Sequence, residues 1–480
     1  MPSMTLSTQW HRMISPTRSA IGLIIQLVSW LLLGDVGYCK DSHSQENRST
    51  VVTETMELLN GLRMTIAQPV DNENVIVHLL IRSGFLDDPR GKEGLAFLTG
   101  QSLLMAKQRT NPARWKDELD FLGAVLNIRV DADSTIFHVR APKARVEPVL
   151  SLLANLILHP VFSEETMAEA KKDLAARATD SPAFVERARQ ELIKLMFRGD
   201  ACGRSQQKDL ESMTRLMVPD VEDFLRAHYR PNNAELIVVG AIPLTQIADV
   251  VREKFGSWVK VGEPPTRSDS RLARISDSIV RVIDRPNAER ALILLGYPLP
   301  ARQSPDYQSL NALVALLEDI GHASRLQRAL VDFDRLQISF KGELSFGFDC
   351  SSLQIQIEGP LSSLNATIHR VLDAIQGTKT QPATGEELSL IKSHLLEERE
   401  QQIRSDEGLA NLVTEVELFG LGRDYLSDLS PRLELLTSEK IQEASKTYLS
   451  ASRLAMVVAG ARDRIDPELK DFEVQYLGSP

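Results

Sequence analysis

Cysteine is scarce: three occur in 480 residues, and Cys39 falls in an N-terminal stretch that reads as a leader. Cys202 and Cys350 remain, in different halves of the chain. They form no CxxC zinc signature and suggest no disulfide framework, so two packed or unpaired thiols are expected. Histidine is thinly patterned as well. Of nine histidines, His11 lies in the leader and His43 in the polar stretch after it, and the rest form no His-x-x-x-His pair. His394 shares a helix face with Glu397 and Glu398, which on a charged helix reads as a solvated surface. His78 sits in an apolar strand and reads as a core or edge side chain, not a ligand. Basic charge is in deficit, with 55 Lys and Arg against 65 Asp and Glu, which argues against nucleic-acid binding. Gly-x-Ser-x-Gly elbows and phosphate loops are also missing.

Apolar runs long enough to cross a bilayer are missing too. The run from Ala20 to Leu33 is shorter than the roughly 18 residues a span needs. Preceded by Arg12 and Arg18 and followed by Lys40-Asp41-Ser42, it has the pattern of an export signal. Residues 1–39 are therefore read as a signal peptide or N-terminal anchor. No Ala-x-Ala marks the cleavage point, and Tyr38 is bulky for a lipid-acceptor site at Cys39. A cleaved leader, a lipid anchor and an uncleaved anchor stay open, and membrane contact is expected only through this segment.

What is present is an ordinary globular sequence, 43% hydrophobic and long enough for two or more domains. After a polar stretch from Asp41 to Thr53, Asn74 to Arg82 reads as the first strand, apolar on both faces. A short buried helix lies within Gly91–Met105. Asn111-Pro112 opens another, with Trp115, Leu119 and Leu122 on one face and Gly123 as its stop. Val125–Val130 and Thr135–Arg140 form a hairpin, and helices follow from about Arg145 and from Ser163.

The polar segment Gly262–Ser270 marks a linker, placed at 261–274, after which the chain starts again. Strands are expected at Ala291–Leu295, Leu336–Lys341 and Ser352–Glu358. Helices are expected after Ser304-Pro305, over Leu364–Ile375 with Gly377 as the stop, and over Glu386–Arg404 with Thr384 as cap. Near the end, Tyr448–Gly460 echoes Tyr229–Gly240, so two homologous domains are expected.

The stretch Gly91–Met105, with its flanks, resembles the active-site helix of the insulinase/pitrilysin family of zinc peptidases. That family writes Gly-x-Ala-His-x-x-Glu-His, two histidines holding zinc and the glutamate activating water. Here Gly94-Leu95-Ala96 is kept, while Phe97, Gly100 and Gln101 stand at the functional positions. The third ligand, a glutamate in the family, is counted to near Arg177, with Asp173 one turn too early. Phe224–Gly240 matches the stretch that closes each family domain. In the second half, Gly321-His-Ala-Ser-Arg-Leu326 keeps the opening of a chamber-facing pattern, but Val331, Asp332 and Ile338 replace its later arginine, glutamate and tyrosine. The resemblance covers Val51 to Phe472.

The resemblance implies an α+β fold of two homologous domains, 51–260 and 275–475, each a mainly antiparallel sheet with helices packed on one face. It also implies a non-catalytic subunit, exported to the periplasm or cell envelope, without intrinsic peptidase activity. Such a subunit pairs with a homologous catalytic zinc peptidase and helps form its peptide-binding chamber. No cofactor is expected in this chain, the zinc belonging to the partner. Peptide substrate is expected along an edge strand at Val125, Leu126, Asn127, Ile128 and Arg129. A stand-alone peptide-binding scaffold and a peptidase with displaced ligands are the alternatives.

Overall fold

The computed structural model describes residues 52–68, 73–108, 115–180, 183–198, 200–204, 206–263, 280–330, 338–426 and 429–477. The expected leader, the expected helix start at Asn111-Pro112 and most of the expected linker lie outside them.

Two six-stranded sheets organise the described residues. The first contains β1 (Val52–Glu57), β2 (Arg63–Gln68), β3 (Asn74–Ile81), β4 (Val125–Val130), β5 (Thr135–Pro142) and β6 (Ala234–Val239), in the order β1-β2-β6-β3-β5-β4. The second contains β7 (Val280–Asp284), β8 (Arg290–Pro298), β9 (Ser339–Ser345), β10 (Ser352–Pro360), β11 (Ala455–Gly460) and β12 (Val474–Tyr476). Read from its β12 edge, its order is β12-β7-β11-β8-β10-β9. The two orders correspond strand for strand. In each, a late strand inserts parallel to one neighbour (β6 to β2, β11 to β7) and antiparallel to the other. Those late strands are the ones that end the Tyr229–Gly240 and Tyr448–Gly460 echo, so the sequence repeat is a structural one. The outermost pair breaks the symmetry, since β1 runs antiparallel to β2 but β12 parallel to β7.

The sequence missed the β1–β2 hairpin by starting the first strand at Asn74. β1 is a half-exposed edge strand with weak alternation, and its turn rests on Gly61, whose φ of +87° few other residues adopt. The helix Leu364–Thr380 also runs through Gly377 instead of stopping there.

The fold is α+β as expected, but helices are not confined to one face of each sheet. On its inner face the first sheet packs Val77, Leu79, Phe137, Val139, Leu236 and Val238 against α1 (Leu95–Met105), α3 (Val146–Leu158) and the helices Val218–His228 and Leu244–Phe255. Its other face, through Ile76, Leu80, Ile237 and Val239, takes Leu409, Leu412, Val413 and Val416 of a helix from the second half, Asp406–Phe419. The second sheet is treated reciprocally. Leu292, Leu294, Val457 and Ala459 are covered by Leu192, Leu195 and Met196 of Ala183–Met196, a helix from the first half. Of the helices labelled here, α2 is Trp115–Leu122, α4 is Glu164–Asp180, α5 is Ala183–Met196 and α6 is Asp406–Phe419. Each half thus lends one helix to the other's sheet. Each buried aliphatic side chain in these contacts contributes about 1.5–3 kcal/mol. This exchange is why β3 is apolar on both faces.

Helix α5 lies hard against β8. A Cβ built on Gly296 would come within 2.5 Å of Met196 Sδ and 3.1 Å of Leu192 Cγ. Gly296→Val is expected to lower folding stability by about 1–3 kcal/mol through overpacking, as read by urea denaturation. An unchanged midpoint would mean that α5 docks less closely than described.

Exchange also corrects the reading of the cysteines. Cys202 follows α5 in the turn Ala201–Gly203, and α5 carries it to the second half, where it forms a disulfide with Cys350. The bond joins residues 148 apart in sequence with their Cα atoms 5.5 Å apart. Assigning the two cysteines to separate domains had hidden the pairing.

Candidate functional site

The motif helix α1 begins at Gly94, in the left-handed region with φ +87°. Its first turn has no capping side chain of its own. Asp88, eight residues before Ala96, accepts hydrogen bonds from the backbone N–H groups of Gly94 and Ala96, each at 2.8 Å. Arg204 Nη1 adds an ion pair to the same carboxylate at 3.2 Å. Burial pushes the Asp88 carboxyl up to about 7 against these donors, which favour its charged form. Helix α1 is buried along most of its length.

Three side-chain positions then define the site. Phe97 is half-buried and stacks on Phe85, ring centroids 5.9 Å apart and planes 13° from parallel. Gly100 faces the edge strand β4, and a Cβ there would lie 3.2 Å from Ile128 Cγ2 and 3.3 Å from Val130 Cγ2. Gln101 is buried, and its Nε2 donates to Asp173 Oδ2 on α4 at 2.8 Å. At the three motif positions the structure therefore holds a stacked ring, a glycine against two aliphatic side chains, and an amide–carboxylate hydrogen bond.

Helix α4 thus presents Asp173 to the motif, the residue that counting had placed one turn early. The side chain of Arg177 lies outside the described residues. Gln101 Oε1 and Asp173 offer oxygen donors but no nitrogen or thiolate, a poor set for zinc. Among the described residues, no three His, Cys, Asp or Glu side chains converge here. The one such cluster is His78, His138 and Glu407, between the first sheet and α6.

In the second half, Arg325 of the retained Ser-Arg-Leu stretch is used in packing. Its guanidinium donates to the carbonyls of Gly377, Gln381 and Pro382 and pairs with Glu387 at 3.0 Å. Glu387 in turn closes the capping box at Thr384 that starts the helix Gly385–Arg404. Val331 and Asp332 lie outside the described residues, and Ile338 packs near Gly359.

The five expected peptide-contact residues fall on β4, which is the edge strand opposite β1 and, among the described residues, pairs only with β5. Leu126, Ile128 and Val130 turn toward the core, while Val125, Asn127 and Arg129 face out. A cavity of about 720 Å³ opens between the halves, at the far end of β4. Phe85, Arg129 and Asp133 line it from one side, and Phe346, Glu398 and Phe419 from the other.

Restoring the motif with Phe97→His, Gly100→Glu and Gln101→His is expected to give no peptidase turnover and at most weak zinc binding at the motif itself. The new glutamate would press on Ile128 and Val130, and Asp173 alone would stand opposite the two histidines. Fluorogenic-peptide hydrolysis with added zinc is the check. Robust turnover would show that the chamber around the motif is intact.

Comparison with known proteins gives two matches to models of one family. Residues 63–209 match the insulinase model (peptidase family M16), and residues 215–395 match the peptidase M16 inactive domain. The zinc protease PqqE of Helicobacter pylori is 21% identical over 384 residues, covering 78% of this chain and 83% of the relative. The mitochondrial-processing peptidase subunit beta of Dictyostelium discoideum is 21% identical, covering 55% of this chain and 57% of the relative. Among solved structures, the peptidase M16 inactive domain from Pseudomonas fluorescens superposes with a TM-score of 0.77 at 18% identity. That match covers 86% of this chain and 98% of the other.

Proposed function

Because the chain belongs to the insulinase family, peptidase family M16, we propose that it serves as a non-catalytic subunit pairing with an active zinc peptidase of that family. The observation that carries this reading is the contact of Gln101 with Asp173, beside a Gly100 overlaid by β4. These positions carry none of the imidazoles or the glutamate of the family pattern, while both sheets and the helix exchange stay complete. A chain that has lost its chemistry and kept its frame fits an architectural task. That a relative is itself named as a subunit supports the same reading.

Peptide would enter by adding a strand to β4. Main-chain groups carry such binding, so it tolerates the loss of chamber side chains. The export pattern of residues 1–39 and the Cys202–Cys350 bond both favour an oxidising compartment such as the periplasm. A stand-alone peptide-binding scaffold is the second reading, favoured by the same free edge.

The test is peptide hydrolysis by an M16 peptidase with an intact His-x-x-Glu-His motif from the same cell, with and without this chain. The expected result is a rise in the partner's activity and in its thermal midpoint, by mass action. No change in either would leave only the scaffold reading.

A further inference from the structure

On the face of the first sheet that meets α6, His78 of β3 and His138 of β5 are directly opposed in register. Their rings meet at 2.7 Å, His78 Nε2 to His138 Nδ1. On the other side of His78, Nδ1 lies 2.8 Å from Thr414 Oγ1. The single hydroxyl proton of Thr414 goes to the Ala410 carbonyl, 2.7 Å away. Thr414 must therefore accept from His78, which puts the His78 proton on Nδ1 and the lone pair on Nε2. Burial, then His138 and Arg129, push the His78 ring down to about 3, so it stays neutral. Glu407, in the first turn of α6, stands 3.4 Å from His138 Nε2.

We propose that His78, His138 and Glu407 form a binding site for a divalent transition metal of the zinc type, tying α6 to the first sheet. Two imidazoles and one carboxylate are a common zinc donor set. All three ligand atoms already lie within 4.8 Å of one another. Metal-bound histidines usually donate their second nitrogen to a fixed acceptor, and Thr414, anchored on Ala410, is that acceptor for His78. The ion would take the place of the proton shared by the two rings, and a neutral His138 would then carry its proton on Nε2, beside the Glu407 carboxylate. Their nitrogens need to part by about half an ångström for each to bind at about 2 Å. Glu407 is half-exposed and sits on a helix end, so its carboxylate is free to follow. Arg129 is the nearby cation that would oppose an ion, and Asp131 engages it at 2.9 Å. The site is separate from the motif, because the two histidines project from the sheet face opposite α1.

The experiment uses the untagged full chain, stripped by chelator and titrated with zinc at neutral pH, and with cobalt(II) for its visible spectrum. Wild type should bind one zinc per chain, show tetrahedral-type cobalt bands and unfold at a higher temperature with zinc present. His138→Gln should abolish binding. Glu407→Gln, a half-exposed change that leaves the fold intact, should weaken it at least about tenfold. Gln101→Ala, at the motif, should leave it unchanged. No saturable binding at micromolar zinc would overturn the proposal. So would binding that survives both site variants, or that is lost with Gln101→Ala alone.

Discussion

Reducing the Cys202–Cys350 bond is expected to lower folding stability by about 2–5 kcal/mol. The bond closes a stretch of 148 residues, which removes many conformations from the unfolded chain. It also pins the end of α5 to the sheet of the other half, where Leu192, Leu195 and Met196 are buried. Urea denaturation with and without a thiol reductant reads the effect, and the double variant Cys202→Ser, Cys350→Ser should match the reduced wild type. Equal midpoints for oxidised and reduced protein would show that the bond adds nothing to the clasp.

Arg82→Met should cost about 3–5 kcal/mol, the range for stripping one partner from a buried ion pair. Glu235 on β6 is fully buried. It accepts from Arg82 Nη2 and from Thr65 Oγ1, each at 3.0 Å, with Arg63 at 3.9 Å. Arg82 also donates to the Glu417 carbonyl at 2.8 Å, and Arg63 pairs with the Glu417 carboxylate at 3.1 Å. Glu417 lies in the last turn of α6, the helix contributed by the second half, and burial, then Glu235, push its carboxyl up. Without Arg82 two close carboxylates would be left to Arg63 alone. The double variant Arg82→Met, Glu235→Leu should recover most of the loss, since an apolar pair needs no counter-charge. A cost under about 1 kcal/mol for the single variant, as for a surface pair, would mean that this network is solvated.

Local pattern carried much of the fold. The hairpin Val125–Val130 with Thr135–Arg140, the stop at Gly123 and the Thr384 cap all follow from alternation, positive φ or side-chain capping. The strand-to-glycine echo at Gly240 and Gly460 revealed the duplication. What escaped was whatever depends on the two halves together. Neither α5 nor α6 announces which sheet it will cover, because an amphipathic face specifies burial but not the partner. The disulfide followed from that exchange and was missed with it. At the site, Phe97, Gly100 and Gln101 were legible because the motif has fixed spacing. Counting puts the third ligand position near Arg177, whose side chain lies outside the described residues, and the contact of Gln101 with Asp173 on the same helix was not legible because local spacing does not say which helix faces meet. His78 was read as core, and it is buried. Its facing partner His138 is 60 residues away in sequence and meets it only through strand register.

The central claim is that this frame, emptied of its metal chemistry, serves an active partner. Size-exclusion chromatography with light scattering, on a micromolar mixture with the intact-motif M16 peptidase of the same cell, tests it most directly. The account predicts one species with the summed mass of both chains and an interface of more than roughly 1,000 Å². Two species eluting independently would contradict it.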